Sequence, residues 1–84
     1  MKPIGYYVDT KIPVVGEIEQ RYGSMLQKIS QGEKIYLAFH LCGNLEDSHP
    51  DARYRIENIC EQIDEHLSEE SDVIGLLKAL VNSL

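Results

Sequence analysis

Between residues 52 and 67 the apolar side chains fall at Ala52, Ile56, Ile59, Cys60, Ile63 and Leu67. Steps of three and four keep side chains on one side of an α-helix, so the spacing predicts an amphipathic helix over 50–67. The last segment repeats the pattern with Val73, Ile74, Leu77, Leu80, Val81 and Leu84 and predicts a second helix over 69–83. Pro50 suits the opening of the first of these helices, and Ser68 suits the cap of the second. The link between them is short, which predicts an antiparallel hairpin. Its two apolar stripes need cover, from each other or from a partner.

Upstream the pattern is weaker. Ile18, Tyr22, Met25, Leu26 and Ile29 recur at helical spacing and predict a helix over 13–30, with Pro13 in its first turn. Gly16 and Gly23 each weaken it by about 1 kcal/mol relative to alanine. Residues 34–42 read two ways. As a strand, Ile35, Leu37, Phe39 and Leu41 share a face; as a helix the segment is apolar nearly all round. Two local signals favour a helix over 31–42. Ser30-Gln31-Gly32-Glu33 fits the capping box, in which serine and glutamate each satisfy an orphan N–H. Gly43-Asn44 fits a helix stop. Ile4-Gly5-Tyr6-Tyr7-Val8 is rich in strand-favouring types, and residues 1–12 read as an extended arm.

The expected fold is therefore all-α: one domain over 1–84, a small bundle of about four helices with an extended N-terminal arm. The alternative is α+β, a βαβ unit followed by two helices, should 34–42 pair with the N-terminal strand.

Composition narrows the partners. The 84 residues carry a formal charge of −6. The charge is uneven: residues 46–72 hold ten acids against two bases, Arg53 and Arg55. Such a surface repels phosphate, so neither nucleic acid nor an anionic membrane is expected as a partner. It suits a protein with a basic surface, although a run of acids is more often a solvated helix face. Two cysteines make no disulfide framework, and the first residues show neither a secretory pattern nor an apolar run long enough to span a bilayer. A cytoplasmic setting is expected. A chain this short buries little of its surface, and self-association is a common remedy.

The candidate chemistry is sparse. His40, Cys42, His49 and Cys60 are zinc-ligand types, but no C-x-x-C or H-x-x-x-H pair is present. Glu57, Glu61, Asp64 and Glu65 share a broad helix face before His66, yet position 63 is isoleucine, where a di-iron E-x-x-H motif requires glutamate. Cys42 with His40 or His49 is a conceivable thiolate–base pair, but Glu46, Asp47 and Asp51 nearby oppose a lowered thiol pKa. No phosphate-binding loop, nucleophile elbow or H-E-x-x-H is found.

No catalytic residue, metal ligand or cofactor is therefore assigned. The sequence favours a non-enzymatic, self-associating module for protein–protein interaction or regulation, a homodimer or other homo-oligomer. Tyr6, Tyr7, Leu77, Leu80 and Leu84 are its interface candidates. Tyrosine is enriched at interfaces because it joins a large apolar body to a polar tip. The competing expectation is a small metal- or thiol-dependent enzyme using His40, Cys42, His49 and the helix carboxylates.

Overall fold

A computed structural model describes residues 2–84. The chain is all-α, with five helices and no strand among the described residues. These are α1 (Ile4–Tyr7), α2 (Pro13–Tyr22), α3 (Gln31–Glu46), α4 (Ala52–His66) and α5 (Glu70–Asn82). Residues 34–42 lie inside α3, so the βαβ alternative falls. The N-terminal arm is not extended throughout, because Ile4–Tyr7 close a single helical turn. The backbone separates into two compact units, residues 1–45 and 46–84.

In the first unit, one long-range backbone bond and several local contacts fix the chain direction. The Ile4 N–H donates to the Ser24 carbonyl at 2.7 Å, tying α1 to the turn that follows α2. Lys2 Nζ sits 4.0 Å from the centroid of the Tyr6 ring, a cation–π contact that pins the turn from its other end. Asp9 Oδ1 accepts the Lys11 N–H at 2.9 Å, a side-chain turn that leads into α2. Pro13 then occupies the first turn of α2, where its missing N–H costs nothing. A Cβ at Gly16 would stand 3.0 Å from the Thr10 carbonyl oxygen, so this glycine lets the preceding loop lie close against the helix.

The helix expected over 13–30 ends at Tyr22. Gly23 takes φ +94°, a conformation that side chains disfavour, and its N–H closes the last turn on the Glu19 carbonyl at 2.8 Å. Leu26 follows with φ +55°. The stripe Ile18, Tyr22, Met25, Leu26 and Ile29 is half-buried along its length. Val15, at 9% exposure, is the one buried hydrophobic residue among those described.

The capping box forms as its sequence predicts. The Glu33 N–H donates to Ser30 Oγ at 3.1 Å, and the Ser30 N–H donates to Glu33 Oε1 at 2.9 Å. Hydrogen bonding to the carboxylate favours the ionised acid, so the backbone N–H and then the hydroxyl of Ser30 hold the Glu33 carboxyl below its ordinary range. The expected stop at Gly43-Asn44 does not occur, and α3 continues to Glu46. Gly43 keeps an ordinary negative φ, and nothing lies within 4 Å of where its Cβ would be. It is simply a tolerated helical glycine.

The second unit holds α4 and α5. Asp51 is the N-cap of α4 and Glu69 that of α5, so the cap expected at Ser68 falls one residue later. Glu70 and Asp72 place negative charge in the first turn of α5, where the helix dipole favours it. The two helices form, but the closed bundle expected of them does not: no helix pair in either unit packs along a common face. Ile63, Leu67 and Ile74, around the connection, are half-buried; the rest of both stripes is exposed. Two short helices cannot remove enough apolar area from water to bury both stripes on their own.

Candidate interaction surface

The chemistry-bearing residues do not converge. His40 and Cys42 are two positions apart on α3, which sends them to different sides of the helix. His49 lies in the connection before α4, and Cys60 lies in the middle of α4. Both cysteines are free and exposed. No three histidine, cysteine, aspartate or glutamate side chains come together among the described residues in a way that could hold a metal ion. The carboxylates expected to act with them are spread along α4. Near its end, His66 Nε2 lies 3.6 Å from Glu65 Oε2, with both side chains open to water.

What the structure does present is apolar surface. On α4, Ile56 and Ile59 are about half exposed, at 50% and 48%. On α5, Val73, Leu76, Leu77, Leu80 and Val81 are all exposed, and Leu84 beyond its end is 98% exposed. The helices place these residues by their period alone, since no neighbouring helix face meets them. Exposed leucines and valines at successive turns make one continuous stripe, not scattered surface hydrophobes, and stripes of that kind mark contact sites. A shallow groove also runs along one flank of α4, with Ala52, Ile56 and Cys60 at its floor and Arg53, Glu57 and Asp64 on its walls.

The first unit carries a second, smaller set. Tyr6 and Tyr7 are both exposed and meet edge to face, with ring centroids 5.1 Å apart and planes at 84°. An extended arm would send them to opposite sides; the helical turn brings them together. Tyr36 and Phe39 on α3 are exposed with centroids 6.4 Å apart. The sequence does not single them out, because an all-round apolar segment gives no sign of which side faces out. An open groove between α2 and α3 runs past Ile18, Tyr22, Ile29, Tyr36, Leu37 and His40.

The interface candidates Tyr6, Tyr7, Leu77, Leu80 and Leu84 are thus all exposed, the first two in one unit and the last three in the other. No helix among the described residues is long and apolar enough to cross a membrane. No protein-family model, curated protein or solved structure matches this chain.

Proposed function

We propose that this chain is a small acidic helical module that self-associates and works by binding another protein. The observation that carries the reading is the exposed run of Val73, Leu76, Leu77, Leu80, Val81 and Leu84 on and beyond α5. Removing that stripe from water supplies the hydrophobic driving force for association, and the surplus over the ordering and rigid-body costs appears as affinity. The acids of α4, Glu57, Glu61 and Glu65, follow one another on its polar side and steer the choice toward partners with a basic surface. The two exposed thiols suit a reducing compartment, such as the cytoplasm.

Light scattering and sedimentation over a range of concentrations test the reading. A mass that rises above one chain with concentration, and falls back in a Leu77→Ser/Leu80→Ser variant, is the expected result. One-chain mass at every concentration overturns self-association.

A further inference from the structure

Charge separates the groove along α4 from the groove between α2 and α3. Glu17, Arg21 and Glu33 border the latter, and each already has a partner. Arg21 Nη2 lies 3.6 Å from Glu17 Oε2, and Glu33 accepts the Ser30 N–H. The α4 groove is bordered by Glu46, Glu57, Glu61 and Asp64 against a single base, Arg53. The ion contacts among the described residues are Arg21–Glu17 and His66–Glu65, so these four carboxylates find no base within the chain.

The acids surround an apolar floor. Ala52, Ile56 and Cys60 recur at four-residue steps, and Asp64 continues the row. Glu57 and Glu61 follow the same period one position on and so flank it. From Ala52 to Cys60 the floor runs about 12 Å, roughly two turns of helix. A row at four-residue steps is a surface onto which another helix packs, ridge into groove.

We infer that this groove is the docking site for an amphipathic helix of a different protein, one whose apolar stripe is flanked by lysines or arginines. This rests on the partner binding proposed above and names its site and occupant. The partner's apolar side chains cover Ile56 and Cys60. The stems of its bases lie along the edge of the floor and set their charges on Glu57, Glu61 and Asp64. Arg53 interrupts the acidic rim near Ala52, so those bases belong to the half of the groove toward Asp64. A second copy does not supply such a helix. Arg21, Lys34 and Lys78 are the lone lysine or arginine of α2, α3 and α5, and Arg53 and Arg55 of α4, two positions apart, point to different sides. The acidic rim also repels nucleic acid and anionic lipid.

The test uses the full chain and a fluorescent peptide of about 18 residues, some five turns of helix, with leucines at helical spacing flanked by lysines. Fluorescence anisotropy reads its Kd. It is expected to bind at least ~10-fold more tightly than a peptide with glutamate for lysine, or than one of the same composition scrambled to remove the apolar face. Glu57→Lys is expected to raise the Kd roughly 10-fold, and Arg53→Glu to lower it about threefold. Glu65→Lys, the same charge change on the same helix but outside the groove, should move it by less than about twofold. In a Cys42→Ala variant, bound peptide should slow alkylation of Cys60 by iodoacetamide at least ~5-fold. Circular dichroism on each variant checks that the helices remain. Equal binding of the scrambled peptide, equal effects at Glu57 and Glu65, or an unprotected Cys60 overturns the groove and leaves a basic partner standing. No binding of either lysine peptide removes the basic partner as well.

Discussion

The two halves of this molecule spend similar amounts of apolar side chain to different ends. In residues 1–45 the stripe from Ile18 to Ile29 is half-buried, and the Ile4–Ser24 bond joins positions far apart in sequence. In residues 46–84 most of both stripes faces water. There, every backbone bond outside the helices spans three or four residues among those described. The first half uses its chain to hold itself. The second uses its chain to present a surface. Amphipathic patterning alone does not distinguish these outcomes, because both halves carry it; turns and loops that fold back on a helix do.

That contrast can be broken most severely at α5. Leu77→Asp would place a charge within the proposed contact, on the exposed stripe of α5. Sedimentation should show association weakened roughly a hundredfold or more. If the chain still pairs with undiminished affinity, the second half does not present this surface. Gly23→Ala strikes the other half. Its φ of +94° strains any side chain, and the new methyl would collide with the Gln27 side chain. A loss of about 1–2 kcal/mol in thermal or urea unfolding is expected, with dimer affinity unchanged. Ser30→Ala removes a cap oxygen and should cost about 1 kcal/mol, read as reduced helix content in α3.

The smallest effect is the pH dependence of the same cap. The carboxyl of Glu33 is held below its ordinary range in the folded chain, so its contribution is fully present above the usual glutamate pKa. It fades as pH falls through the lowered value. Helicity of the wild-type chain should therefore drop on acidification through that window, and a Glu33→Gln variant should lose that component of the drop. An identical acid profile for both chains would remove the capping box from the account.

What the sequence made legible was what its neighbours decide. The helices α4 and α5 follow from period, and the α3 start follows from the four residues Ser30 to Glu33. Legibility failed where distant groups act. Ile4–Tyr7 carries strand-favouring residues, yet the Ser24 carbonyl and the Lys2 ammonium hold it in a helical turn. Gly23 and Gly43 look alike in sequence; one adopts positive φ and ends a helix, and the other is carried through. The exposure of Leu77, Leu80 and Leu84 depends on what covers them, and no count of apolar positions states that. For the site, residue types alone suggested His40, Cys42 and His49, and the fold does not bring them together.

The purely local bonding of α4 and α5 also sets a clock. Segments closed only by near-neighbour bonds form fast, on the order of 0.1–1 μs for a helix of about twenty residues, and they reopen readily. Backbone amides there should trade their hydrogens for deuterium sooner than those around Val15. Capture by a second copy would slow that exchange, so the label would record occupancy minute by minute.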